Sequence, residues 1–146
     1  MDREPIMVSA CLLGLKTRYN GKDALSKEAL TMLEGHTIIP VCPEQLAGLP
    51  TPRPRAEIVS GDGAHVLDGR ARVINENGLD VTETFIRGAK ELLKVAEITG
   101  AKKAFLKEGS PSCGVKRITK AGATIEGAGV LTSLLKRKGI GTKGFG

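Results

Sequence analysis

A chain of 146 residues, 40% hydrophobic and 26% charged, is long enough to bury a core without covalent staples and reads as one domain over residues 1–146. Its three cysteines are odd in number and far apart, which excludes a disulfide scaffold and any local C-x-x-C metal knuckle. The start Met1-Asp2-Arg3-Glu4-Pro5 is polar and no apolar run approaches the ~20 residues of a membrane span, so a cytoplasmic protein with no membrane partner is expected.

In chain order, Ile6 to Ala10 reads as a first buried strand that ends at Cys11. The polar loop Lys16-Thr17-Arg18-Tyr19-Asn20-Gly21 follows, with Asn-Gly as its turn signal. Ser26 starts a helix over Lys27 to Leu33, with Ala29, Leu30 and Leu33 available to one face and Gly35 as the stop. Thr37 to Val41 is a second strand and ends at Cys42. Pro43, Pro50, Pro52 and Pro54 argue against regular structure between them, with Arg53 and Arg55 just after the kinks. Glu57 to Val59, Ala64 to Leu67 and Arg70 to Ile74 show β-like patterning, and Asp68-Gly69 predicts a hairpin turn between the latter two.

Asp80 followed by Glu83 resembles a capping box. From there Val81, Phe85, Ala89, Leu92, Leu93 and Ala96 recur at helical spacing up to Gly100. Lys103 to Leu106 is a third strand, and Gly127-Ala128-Gly129 opens a last helix that reaches Gly139. Helices alternating with apolar strands argue for parallel crossover units. The fold class is therefore α/β: a Rossmann-like three-layer fold with a mostly parallel central sheet and a small β-hairpin insertion.

All three cysteines fall at the ends of strand-like runs and none inside a helix. In an open parallel sheet, ligands bind outside the carboxyl ends of the strands, so the thiols can meet there. Three thiolates make a soft metal site one ligand short of closed. Any one of them alone is explained as a small buried hydrophobe, but independent buried cysteines have no reason to share this placement.

Glu44 stands two residues after Cys42, placing a carboxylate beside a ligand as an acid or base. The loop Gly109-Ser110-Pro111-Ser112-Cys113-Gly114 adds two hydroxyls and backbone N–H groups that can cradle an anion or donate to cluster sulfur.

Zinc is one alternative, with Glu44, His36 or His65 as fourth ligand. His36, however, precedes the second strand at its opposite end, and His65 belongs to the small hairpin. An iron–sulfur cluster on three cysteines fits this inventory better. A cysteine hydrolase lacks a base beside its thiol, and Gly127-Ala128-Gly129 lacks a full dinucleotide or Walker pattern. The net charge of +6 gathers late, in Lys116-Arg117, Lys120, Lys136-Arg137-Lys138 and Lys143. It reads either as a surface for a nucleotide or RNA or as a solvated face with helix C-terminal cations. With no stacking platform beside the charge, the second reading is favoured.

Several segments resemble the bacterial and archaeal 2-thiouracil desulfurase family. These are Val8-Ser9-Ala10-Cys11-Leu12-Leu13-Gly14, Arg18-Tyr19-Asn20-Gly21, Pro40-Val41-Cys42-Pro43-Glu44, Leu106-Lys107 and Ser110-Pro111-Ser112-Cys113-Gly114. Pro52-Arg53-Pro54-Arg55-Ala56-Glu57-Ile58, Asp80-Val81-Thr82 and Phe85-Ile86-Arg87-Gly88-Ala89 follow its pattern in order. The resemblance implies an oxygen-sensitive [4Fe-4S] cluster held by Cys11, Cys42 and Cys113, with an open iron for the sulfur of a thiocarbonyl. It implies Glu44 as the group that handles protons or water, and Ser110 as one that helps hold the substrate, a thiolated base or nucleoside such as 2-thiouracil. Sulfur would leave as sulfide without net redox change.

Two features depart from the family. Many relatives carry a cysteine and an aspartate where this chain has Thr17 to Gly21, and the tail from Gly139 is glycine-rich where a final strand is expected. The competing readings are a non-catalytic iron–sulfur or metal carrier or sensor, and a basic nucleotide- or RNA-binding module. No motif specifies an oligomeric state.

Overall fold

The computed structural model describes residues 4–146; the polar start at Met1, Asp2 and Arg3 lies outside the described residues. Strand β1 (Pro5–Ser9) runs into a 3-10 turn, Ala10–Leu13, and a polar loop leads to helix α1 (Lys27–Met32). Strand β2 (Thr37–Val41) passes directly into the one-turn helix α2 (Pro43–Leu46). Strand β3 (Ala56–Val59), helix α3 (Gly63–Leu67) and strand β4 (Arg72–Asn75) precede the long helix α4 (Thr82–Thr99). Then come β5 (Lys103–Lys107), β6 (Arg117–Lys120), β7 (Ala123–Glu126), α5 (Val130–Arg137) and β8 (Gly141–Phe145).

The central sheet has the order β2-β1-β5-β8 and every pair in it is parallel. Side chains alternate between its faces with period two. Ile6, Val8 and Phe105 pack with Leu12, Ala29, Leu33 and Phe145 on the α1 side. Met7, Ala104 and Leu106 pack on the other side against Phe85, Ala89 and Leu92 of α4 and Leu131 and Leu135 of α5. Burial on both faces is why these strands read as unbroken apolar runs, and each fully buried Leu, Ile or Phe contributes about 1.5–3 kcal/mol. The expected three-layer α/β arrangement is the one observed.

Four local expectations are corrected. Ala64 to Leu67 is helical, because Asp62 accepts a hydrogen bond from Ala64 N at 3.1 Å and His65 Nδ1 accepts one from Asp62 N at 3.1 Å, which caps the helix from both sides. The antiparallel pair is instead β3 with β4, running from Ala56↔Asn75 to Val59↔Arg72, and Asp68 ends α3.

The proline-rich stretch begins with a helix, since Pro43 occupies its first position, where a missing N–H is no loss; Leu46 N closes the turn on Cys42 O at 3.0 Å. Asp80 reaches Thr82 N at 2.9 Å from one residue outside the Val81 cap, so no Asp80–Glu83 capping box forms. The glycine-rich tail does form a strand: β8 pairs with β5 from Lys103↔Gly141 to Lys107↔Phe145. Gly144 suits that place because a Cβ there would overlap the Glu108 carboxylate. The β6–β7 hairpin went unread in the sequence.

The parallel register brings the strand ends level, with Ser9 opposite Val41 and Lys107 opposite Phe145. The segments after β1, β2 and β5 therefore leave the sheet along one edge. The α4 helix fixes one of them: at Gly88 it meets the Pro43 carbonyl so closely that no Cβ fits.

Candidate active site

Cys11 lies in the 3-10 turn that leaves β1, at the end of the apolar run that the sequence marks as the first strand. Its carbonyl accepts from Gly14 N at 3.1 Å and Ala24 N at 2.9 Å, which ties down the polar loop. Cys42 is the cap residue of α2. Cys113 sits in a turn held by Ser110, whose Oγ accepts from Ser112 N and Cys113 N, both at 3.1 Å. The start of α5 grips the same turn, with Leu131 N on Ser112 O at 2.9 Å and Thr132 Oγ1 donating to Cys113 O at 3.0 Å.

These segments enclose one cavity of about 330 Å³, lined by Cys11, Cys42, Cys113, Glu44 and Ser110 together. All five residues singled out from the sequence thus reach one place. The histidines do not line it: His36 Nδ1 lies 3.2 Å from the Glu4 carbonyl oxygen, and His65 sits in α3 beside Asp62. The sequence expectation had put His65 in a hairpin. Among the described residues, no three His, Cys, Asp or Glu side chains converge as a single-ion site. The thiols instead line the wall of a volume, an arrangement suited to a polynuclear group more than to one zinc ion, whose donors lie ~2.0–2.3 Å from the metal.

Burial pushes the Cys113 thiol well above the usual 9.0; the Ser9 hydroxyl opposes this, and Cys42, Cys11 and Glu44 add to it. Burial also raises Cys11, against the opposing charges of Lys107 and Arg18. Lys107 is lowered, first by burial and then by Arg18. The three thiols therefore share one field. Such thiols become ligands by losing protons to a soft cation that offsets the buried charge.

Glu44 is held at both oxygens. Arg53 Nε donates to Oε1 at 2.8 Å and Ser112 Oγ donates to Oε2 at 2.9 Å. Arg53 is itself almost fully buried, its side chain 4% exposed. Sequence reasoning marked Arg53 by its position after a proline kink and by a segment that follows the family pattern, and gave Ser112 no partner. The Pro-Arg-Pro-Arg spacing was the available signal, but a buried arginine is indistinguishable from a surface one until its carboxylate is located. Arg18, Lys107 and Arg117 also line the cavity, with Glu108 among them, and Thr119 and Thr124 bring the β6–β7 hairpin to it as one wall.

The chain matches the family described as 2-thiouracil desulfurase over residues 6–143. A relative described as uncharacterized protein YbbK of Bacillus subtilis (strain 168) is 42% identical over 137 residues, 92% of this chain and 91% of its own. Among solved structures, a [4Fe-4S]-dependent thiouracil desulfidase, TudS, matches with a TM-score of 0.80 and 43% identity. That match covers 97% of this chain and 90% of the other.

Proposed function

This chain belongs to the 2-thiouracil desulfurase family, and from that membership we propose that it removes sulfur from a thiolated nucleobase such as 2-thiouracil at a [4Fe-4S] cluster held by Cys11, Cys42 and Cys113. The observation that carries this reading is the meeting of those three thiols with Glu44 and Ser110 around one cavity. The donor set fits the group, because cysteine thiolates are the ligands of iron–sulfur clusters and three of them leave one iron open.

When bound, the cluster supplies a Lewis-acidic iron that weakens a C=S bond by drawing on its sulfur. Everything else falls to the chain. Water replaces sulfur at carbon, giving a carbonyl and hydrogen sulfide with no electron gained or lost. Glu44 takes the two protons of that water in turn and passes each to the departing sulfur; its two hydrogen bonds occupy only part of the four lone-pair sites of a carboxylate. Ser110 Oγ accepts two backbone N–H bonds and still has its own proton to donate to a ring atom of the substrate. Arg18, Lys107 and Arg117 provide positive charge that favours the departing sulfur while it is still anionic, before its protonation to hydrogen sulfide is complete.

The partner is a small thiolated base or nucleoside. A role on nucleic acid draws less support, since Lys136 and Arg137 complete the last turn of α5 and Arg137 pairs with Asp68 at 2.9 Å. Three free thiols suit the reducing cytoplasm. Among the described residues no helix is long and apolar enough to cross a membrane.

Anaerobic reconstitution is expected to load about four irons and four sulfides per chain, and the loaded protein to release sulfide from 2-thiouracil. Glu44→Gln should keep its iron and lose about 10²–10⁴-fold in turnover, whereas Cys113→Ala should lose the iron. A fully loaded protein that turns over no thiolated base would sink the reading. Cluster transfer or sensing that survives Glu44→Ala and Ser110→Ala, in a protein without turnover, would favour a carrier or sensor.

A further inference from the structure

The structure assigns Arg53 as the positioning residue that locks the Cys42–Glu44 corner of the cavity, acting at once on the carboxylate and on the thiol. This rests on the desulfurase reading above. Its fork spreads over five acceptors. Nε donates to Glu44 Oε1 at 2.8 Å, and Nη1 donates to Thr51 Oγ1 at 2.9 Å and to Pro50 O at 3.3 Å. Nη2 donates to Thr17 O at 3.0 Å and lies 4.0 Å from Cys42 Sγ.

One buried cation thus ties together three stretches: the loop after Cys11, the α2 turn and the proline-rich segment. Its own backbone is anchored too, with Arg53 N donating to Tyr19 O at 2.8 Å.

Two physical points make this more than packing. A guanidinium presents five N–H donors in a rigid plane, so bonding at Thr17, Thr51 and Pro50 fixes where Nε points and hence which way Glu44 Oε1 faces. Lysine keeps the charge but cannot reproduce the fork. Second, an N–H directed at a cysteine sulfur tunes whatever that sulfur ligates. Arg53 is a charged donor within reach of both Glu44 and Cys42.

The test uses the loaded full-length chain with Arg53→Lys. Expected is a fall in kcat of about 10- to 100-fold with KM within about threefold and iron content unchanged, because a misplaced group costs rate more than binding. In a Glu44→Gln background the same change should cost less than about threefold, because the larger share of Arg53's effect on rate runs through Glu44 and only the contact with Cys42 remains. Independently of turnover, the Fe–S(Cys) resonance Raman bands should shift from wild type, and their sensitivity to deuterium exchange should diminish.

Wild-type kcat with unchanged bands in Arg53→Lys would overturn the assignment. So would full additivity with Glu44→Gln. If Arg53→Lys does not hold its cluster, Thr51→Ala loosens the fork without touching Glu44 or Cys42. It should give a smaller kcat loss and the same direction of band shift, and wild-type values there would overturn the assignment. If the loaded wild type releases no sulfide from any thiolated base, the desulfurase reading fails by itself, and the Raman comparison still decides Arg53.

Discussion

Ser112 Oγ donates to Glu44 Oε2 at 2.9 Å, across 68 residues of chain, and so couples the turn that carries Cys113 to the turn that carries Cys42. Ser112 is 3% exposed, so this bond forms away from water. Removing the donor leaves a carboxylate oxygen short of a partner. Hydrogen bonds to charged groups are worth about 1.5–3 kcal/mol. Ser112→Ala should lower the stability of the metal-free chain by that order in urea unfolding, and an unchanged midpoint would show that the bond does not matter.

Gly88 is where α4 meets the carbonyl of Pro43, the residue after Cys42. A methyl group there must displace α2. Overpacking of this kind costs about 1–3 kcal/mol. Gly88→Ala is therefore expected to lower the melting temperature and the iron retained per folded chain, the second because Cys42 moves with Pro43. A variant with wild-type melting and full iron content would contradict the close approach.

Glu108 is a buried carboxylate that gathers the loop beyond Cys113. Its Oε1 accepts from Val115 N at 2.8 Å, Lys116 N at 3.0 Å and Arg117 N at 3.2 Å. An amide oxygen accepts more weakly than an ionised one, and an amide NH₂ would face these donors or Gly144. Glu108→Gln should cost about 1.5–3 kcal/mol in equilibrium unfolding. It should also shorten cluster lifetime under air, measured by the decay of the visible absorption. Equal lifetimes would remove Glu108 from the account of the site.

Acid stability depends in part on Asp80, far from the cavity. The Arg72 guanidinium at 2.8 Å, with the Thr82 hydroxyl and N–H, holds its carboxyl well below the usual 3.8. The unfolded chain therefore takes up this proton more readily than the folded one. The stabilisation is fully present above about pH 3.8 and is lost as pH falls through that value toward the lower folded pKa. Asp80→Asn should flatten the fall of the urea midpoint between about pH 5 and pH 2. Parallel curves for the two proteins would exclude the pair as a source of acid sensitivity.

Much of the fold could be read locally. Ser26 caps α1 through a 3.1 Å bond from Ala29 N, and Gly100 ends α4 with a φ of 73°, as their sequence positions imply. The apolar runs Ile6 to Ser9 and Ala104 to Leu106 are strands because both faces of a parallel sheet are covered. The errors fell where a local signal had two solutions. Ala64 to Leu67 is short enough to be strand or helix, and the Asp62–His65 cap decided it. Pro43 breaks a helix from within but starts one at its first position.

The site divides along the same line. The amino-acid sequence by itself determined that three thiols end three strand-like runs, with a carboxylate beside one and a hydroxyl-rich turn around another, because strand periodicity and turn chemistry are local. It also carried the family motifs. Only the tertiary structure decided that β8 forms, that the β6–β7 hairpin walls the cavity, and that Arg53 and Ser112 hold Glu44 from opposite sides. Those contacts join residues 9 and 68 positions apart through a cavity that exists only once the sheet has assembled. A buried ion pair is specified by where two chain segments meet, and sequence patterning encodes which residues are available but not which of them will touch.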